Sequence, residues 1–453
     1  MVRSVLMIAF HYPPMRGSSG IQRTLTFSQH LPRHGWQPLL LSAHPRAYAN
    51  SGADQLAEIP AGMVVRRAFA LDTSRHLAVG GRYPLLLALP DRWVTWLLGA
   101  VPAGLGLVRR HRPALIWSTY PIATAHLIGL ALHRLTGLPW VADLRDPMTD
   151  HDYPAHPLTR RVYRWIERQT IARCSVAVCT TPGAIQTYRA RFPDIPAERY
   201  ALIENGYDEA NFAQAGEAAP AGHGGAAANA ADYADTSAAP APTPTPAPLT
   251  LVHSGVIYPS ERDPRPLFAA LAELRRAGQV SPQRLQLVLR ATGHDDYLRP
   301  LLREYGIEQM VTLAPHIAYR AALAEMLGAG GLLVLQAANC NHQIPAKLYE
   351  YFRAGRPILA LTDAAGDTAA VLRQAGIDTI AQLDSCEDIM HQLLRFLTLA
   401  EAGQAPLASA AAVAASSRAA RSAQLGELLD RVALRAAKAG RALPRAGSKE
   451  GAP

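Results

Sequence analysis

Lysine is nearly missing from this chain: of 45 Lys+Arg only three are lysine, and two of these, Lys438 and Lys449, lie in an Ala/Arg-rich C-terminal stretch. Every other cation in the part that reads as folded is arginine, so Lys347, in QIPAKLYEYFRAGRPILAL, needs a reason of its own. Cysteine is sparse as well. Cys174, Cys179, Cys340 and Cys386 show no CxxC or CxxH spacing, which excludes the common structural zinc patterns and predicts a reduced, cytoplasmic chain. Long apolar runs are also missing. The best candidate, WVTWLLGAVPAGLGLV between Arg92 and Arg109, is broken by Pro102 and too short for a normal membrane span. The arginines are dispersed without aromatic interleaving, so nucleic acid is not an expected partner.

What is present is ordinary globular material: 453 residues, 49% hydrophobic and 18% charged, with a net charge of +9. That length exceeds one core and fits two domains with extra segments. The positive charge favours an anionic partner, a phosphate ester or an acidic membrane surface. MVRSVLMIAFHYPP reads as a first buried strand and not as a signal peptide, since no small-residue cleavage site follows the apolar run.

Strand-like and helix-like segments alternate. VRSVLMIAF, QPLLLSAH, ALIWST, LPWVADLRD and SVAVCTT read as strands, with helices predicted near 21–35, 122–135 and 159–172. After residue 249 the pattern restarts through LTLVHSG, RLQLVLRATG, MVTLAPH, GLLVLQ and RPILALTD. Parallel sheets flanked by helices follow, that is, an α/β chain of two Rossmann-like domains. The predicted boundaries are 1–212, an Ala/Pro-rich linker at 213–248, 249–400, and an Ala/Arg-rich tail at 401–453 with an amphipathic helix near 419–437. Open sheets bind ligands outside the carboxyl ends of their strands, so the chemistry is expected in the loops that follow strands, in a cleft between the domains.

Three such loops stand out. In PPMRGSSGIQR, Gly17 and Gly20 would let a backbone approach an anion at a helix N-terminus, or would simply form a turn. In VADLRDPMTD, Arg145 and Asp146 either face the cleft or pair with each other, while Asp143 suits a cap or an arginine partner. In the third, Pro345 suits a helix start, which puts Lys347 in the first turn and Glu350 on the same face. A cation and a carboxylate there could hold a phosphate and a sugar hydroxyl together; an ordinary ion pair is the alternative. Gly355 should end that helix before a buried strand. Gly255 ends the strand LTLVHSG in a turn.

The loops FHYPPMRGSSG, LPWVADLRDP, IENGYDEANF and IPAKLYEYFRAGRPIL resemble the family-four retaining glycosyltransferases of the GT-B fold, over most of residues 1–400. In that family a Glu, seven residues and a second Glu contact the donor sugar and the nucleotide ribose. Glu350 takes the second position and His342 the first. The family's diphosphate-holding Arg and Lys correspond to Val256 and, nearby, Arg262, so the resemblance implies that Lys347 supplies the missing charge. It further implies transfer from a nucleotide-sugar donor to a glycan or lipid-linked acceptor in surface polysaccharide biosynthesis. No metal or other cofactor is expected if Arg262, Lys347 and the loop at 17–20 supply the charge, with Asp146 as a further catalytic candidate. A nucleotide-sugar epimerase of the same fold and a non-catalytic binding subunit are the alternatives.

The segment between Arg92 and Arg109 has two readings. Trp93, Trp96 and the basic RRHR end suit a helix lying in an anionic membrane interface, at the inner face of the cell membrane. A helix buried in the first domain fits equally.

Overall fold

The computed structural model describes residues 2–16, 19–53, 55–150, 153–218 and 247–442. It divides into two compact units. Unit one holds residues up to Gly206 together with those from Arg418 on, and unit two runs from Tyr207 to Ser417.

Unit one is built on a seven-stranded sheet: β1 (Arg3–Ile8), β2 (Trp36–Ala43), β3 (Val64–Ala68), β4 (Leu115–Thr119), β5 (Trp140–Arg145), β6 (Val176–Cys179) and β7 (Tyr200–Leu202). The order is β3-β2-β1-β4-β5-β6-β7, and every pairing is parallel. Both faces are covered, as a parallel sheet requires. Strand alternation separates two cores: Leu6 and Ile8 join one cluster, Val5 and Met7 the other. The helix Ser19–His30 stops earlier than the apolar pattern suggests. Pro32 has no N–H to continue the ladder, so a 3-10 turn follows to Gly35.

Unit two repeats the plan with β8 (Leu249–Ser254), β9 (Leu285–Arg290), β10 (Val311–Ala314), β11 (Gly331–Gln336), β12 (Ile358–Thr362) and β13 (Ile380–Ala381). Its order is β10-β9-β8-β11-β12-β13, again parallel throughout. In each unit the strand order reverses once, at β1/β4 and at β8/β11, which is where open α/β sheets bind ligands.

Several boundaries differ from the sequence reading. The helix Glu209–Ala218 belongs to unit two and buries Phe212 and Ala215, so residues 213–218 are helical; of the rest of the linker expected at 213–248, residues 219–246 lie outside the described residues. The helix Arg418–Ala442 is not a loose tail. Leu425, Leu428, Leu429 and Val432, spaced as one helix face, complete the unit-one core against Leu25, Trp36 and Leu40. Trp36 Nε1 donates to Asp430 at 2.7 Å, and Arg3 pairs with the same carboxylate.

The interfacial reading of the tryptophan segment is overturned. In the helix Trp96–His111, Trp96, Ala100, Gly104 and Leu107 face inward, and Trp96 is fully buried. Trp93 packs on Phe10 at 4.8 Å and donates Nε1–H to the Ala47 carbonyl at 3.2 Å. Among the described residues no helix is long and apolar enough to cross a membrane.

Candidate functional site

The residues with chemistry in unit two gather at the carboxyl ends of β8 and β11. β8 ends in His253 and Ser254, and Gly255, which follows it, has a φ of 128°. A side chain there would be strained, and its Cβ would stand 2.7 Å from Lys347 Nζ. β11 leads through a short 3-10 turn to the helix Lys347–Ala354, which Gly355 ends in the left-handed region as expected. Ala346 is the N-cap, so Pro345 lies just before the helix and Lys347 is its first residue.

This helix is keyed to the sheet by its buried side. Leu348, Tyr349, Tyr351 and Phe352 pack inward, and the Ser254 N–H donates to Tyr351 Oη at 3.2 Å. Lys347 and Glu350 are left on the open side, and they do not pair with each other. The Lys347 ammonium reaches His253 Nε2 at 3.4 Å, while Glu350 accepts from Tyr319 Oη at 2.6 Å. Burial, with the Arg262 charge nearby, pulls Lys347 down to about 7. Burial also holds His253 neutral, well below its usual range. Arg262 itself is fixed by donation to the Val256 carbonyl at 2.5 Å and by the Tyr258 ring.

The loop carrying His342 is tied on both sides. Gln336 Nε2 donates to the carbonyls of Cys340 and Gln343, at 2.7 and 2.9 Å, and Asn341 Nδ2 donates to Asp363 at 2.6 Å. The structure therefore brings Gly255, Arg262, Lys347 and Glu350 to one end of the unit-two sheet, with the His342 loop beside them.

The unit-one candidates follow β1, β4 and β5. Gly17 lies outside the described residues, and Gly20 lies in the first turn of the helix Ser19–His30. Asp143 is structural: Arg23 grips it with two hydrogen bonds, 3.0 and 2.8 Å long, and Thr119 donates to it at 2.6 Å. A register shift between Asp143 and Arg145 breaks the β5–β6 ladder and turns the backbone. Arg145 then takes a φ of 62°, a conformation costing a non-glycine residue about 1–2 kcal/mol. Its Nη1 lies 3.4 Å from the Tyr120 carbonyl, and its buried Nε has no partner among the described residues. Asp146 is oriented by Thr180, whose hydroxyl donates to it at 3.0 Å. Arg145 and Asp146 thus have separate hydrogen-bond partners, although the Asp146 charge lies near enough to favour the Arg145 cation against its burial.

Sequence reasoning passed over His11 and His253. His11 sits after β1 and is lowered to about 4 by burial and by Arg145. Histidine in FHYPP and LVHSG, at strand ends, was the available signal. An Asp-x-Asp triplet, Asp150-His151-Asp152, does follow β5, although residues 151 and 152 lie outside the described set. The metal-free expectation therefore rests on the cations alone. Among the described residues no group of three or more His, Cys, Asp or Glu could hold a metal ion.

Two doubly wound parallel units in one chain define the α/β GT-B class, and comparison with known proteins agrees. Residues 19–206 match the family described as Glycosyl transferase 4-like domain. A trehalose 6-phosphate synthase from Burkholderia multivorans has the same fold at 13% identity, with 98% of this chain and 100% of that one covered and a TM-score of 0.61. A sucrose-phosphate synthase from Thermosynechococcus elongatus matches at 14% identity over 97% and 98%, TM-score 0.58. Anabaena HepE in complex with UDP matches at 13% over 97% and 100%, TM-score 0.55. A UDP-N-acetylglucosamine 2-epimerase shares the fold too, at 13% identity over 99% of both chains, TM-score 0.52. No curated protein matches the chain. Together these findings show the GT-B fold over the chain and a glycosyl transferase 4-like match over residues 19–206.

Proposed function

We propose that this protein transfers a sugar from a nucleotide-sugar donor to a glycan or lipid-linked acceptor, in surface polysaccharide biosynthesis. The observation that carries the reading is the Lys347 ammonium standing over Gly255, with Arg262 as a second cation at the same strand end. Such a pair suits a diphosphate: the backbone of Gly255 presents no side chain, and a bound diphosphate would favour the charged form of Lys347 beside Arg262. In the transfer, the bond from the sugar's anomeric carbon to the diphosphate oxygen breaks. A bond to the acceptor oxygen forms, and the acceptor proton is lost. Negative charge grows on the departing diphosphate, and preorganised cations stabilise that charge most in the transition state.

Glu350 is the candidate for a ribose hydroxyl, which would replace Tyr319 on its carboxylate. His342 takes the sugar-facing position that the family fills with Glu. Arg145 and Asp146 are candidates for the acceptor side, with Asp146, held by Thr180, suited to receive the acceptor proton. Retention of configuration follows from the family resemblance. Metal independence follows from the cations, and full turnover in EDTA is its test. The likeness to HepE with bound UDP supports a nucleotide-sugar donor.

A thermal-shift screen of UDP-, GDP- and dTDP-sugars tests the reading, since a ligand at about 100 times its dissociation constant stabilises by roughly 2.7 kcal/mol. No shift with any of them would remove it. The epimerase reading is favoured by the shared fold and by His342. Incubation with UDP-GlcNAc and no acceptor separates the two, because an epimerase alone would yield a new sugar nucleotide.

A further inference from the structure

The helix Pro157–Arg173, which follows β5 in unit one, carries a face that neither the fold nor the proposed transfer uses. Tyr163, Ile166, Glu167, Thr170 and Ile171 turn inward. The opposite side presents Arg161, Arg164, Trp165 and Arg168 to solvent. These residues, with Arg160 and Phe192, line a groove of about 850 Å³. Trp165 is 43% exposed, while Trp36, Trp96, Trp117 and Trp140 are at most 1% exposed. Leu158 is also exposed, two turns before Trp165 on the same side of the helix.

The charge on this face is one-sided. Glu167, the helix's sole carboxylate, is fully buried and pairs with Arg191 at 2.7 Å. Arg161, Arg164 and Arg168 form no ion pair among the described residues. A protein surface that only needed solubility would intersperse both signs. Uncompensated arginines around an exposed indole and a leucine form instead the combination that an anionic bilayer surface attracts, with phosphates for the guanidinium groups and the acyl boundary for Trp165.

We propose that this face of the helix Pro157–Arg173 docks the protein on an anionic phospholipid membrane. The membrane contact expected from the sequence thus moves from the buried Trp93–Trp96 segment to Trp165. The contact also has a bearing on the site: Glu167, on the inward side of this helix, accepts from the Met148 and Thr149 N–H groups at 3.0 and 3.2 Å, in the loop that follows β5. A docked helix would therefore hold the carboxyl end of the unit-one sheet near the lipid, where a lipid-linked acceptor resides. The docking itself does not depend on the transfer reading.

The test uses the full chain with phosphatidylcholine vesicles, with and without phosphatidylglycerol. Binding only to the anionic vesicles is expected. Because each basic residue at such a surface contributes roughly a factor of five, the triple variant Arg161→Gln/Arg164→Gln/Arg168→Gln should bind about 100-fold more weakly. Lipid brominated in its acyl chains should quench wild-type tryptophan fluorescence and spare Trp165→Phe. Wild-type vesicle binding by the triple variant would overturn the proposal and move the contact elsewhere, the exposed turn Leu85–Ala88 included. Binding to heparin or RNA with indifference to vesicles would equally overturn it, as would self-association lost in Trp165→Phe. Nucleotide-sugar thermal shifts unchanged in the triple variant would show that docking, and not the donor site, had been removed.

Discussion

Lys347 Nζ stands 3.4 Å from Nε2 of His253, whose other ring nitrogen lies 3.0 Å from the Leu333 carbonyl. A neutral ring that donates from Nδ1 to that carbonyl must accept at Nε2, so the imidazole steers the ammonium toward the end of β8. Burial keeps the ring neutral, and a neutral ring is what an adjacent cation needs.

Replacing the cation separates charge from structure. Lys347→Met should lower the transfer rate about 100- to 1000-fold with little change in melting temperature, because the charge acts when negative charge develops. Glu350→Gln should raise the apparent donor constant and leave kcat nearly unchanged, as expected for a contact made in ground and transition states alike. Steady-state kinetics distinguish the two, and wild-type turnover in Lys347→Met would leave Arg262 as the candidate cation of this site.

The same lysine predicts a pH dependence. In the free protein it is lowered from 10.5 to about 7, and a bound diphosphate favours its charged form. Above pH 7 nucleoside diphosphate binding should therefore take up as much as about one proton and weaken as pH rises. Calorimetry in buffers of different ionisation enthalpy measures this, and Lys347→Met should abolish the uptake. The ligand-free fold should gain stability from pH 7 upward, since the unfolded chain keeps a proton that the folded one has shed.

Gly255→Ala is expected to act on binding through geometry. The new Cβ would meet Lys347 Nζ at 2.7 Å, in a backbone conformation costing about 1–3 kcal/mol for a non-glycine residue. Donor affinity should fall at least tenfold, by thermal-shift titration, with a smaller loss of stability than a core truncation gives.

Asp143→Ala should be severe for stability. It would leave Arg23, only 7% exposed, charged without its carboxylate, a loss of about 3–5 kcal/mol in urea unfolding.

Trp96→Ala should likewise cost about 3–5 kcal/mol, because the indole is fully buried. Vesicle binding by the folded fraction should be unchanged.

The central strands were legible because runs such as GLLVLQ are apolar throughout, as a strand covered on both faces must be. VVRRA was not, since two adjacent arginines at a sheet edge hide the strand signal. Lys347 and Glu350 could be placed by helix spacing and by the rarity of lysine. His253 offered only its place near a strand end as a signal, and a buried histidine there reads as core until its neighbour Lys347 is known. Nor could the backbone of Arg145 be read: nothing in DLRDP specifies a left-handed arginine, which arises from the register shift against β6. The helix at Arg418–Ala442 showed its periodicity but not its destination, since the surface that accepts Leu425 and Leu429 is assembled from strands between Val5 and Val178, far earlier in the chain.

That last helix imposes an order on synthesis. Unit one is interrupted by the whole of unit two and receives its final core residues only when Leu425, Leu428, Leu429 and Val432 leave the ribosome. At roughly 5–20 residues per second, the N-terminal strands wait on the order of 10–50 s with one apolar face covered only in part, by Leu25, Phe27 and Leu31. Unit two, continuous in the chain, can close first. A nascent chain of this protein can thus complete its second unit before its first, and a ribosome stalled within the last helix would hold a chain whose second unit is complete and whose first still lacks Leu425, Leu428, Leu429 and Val432.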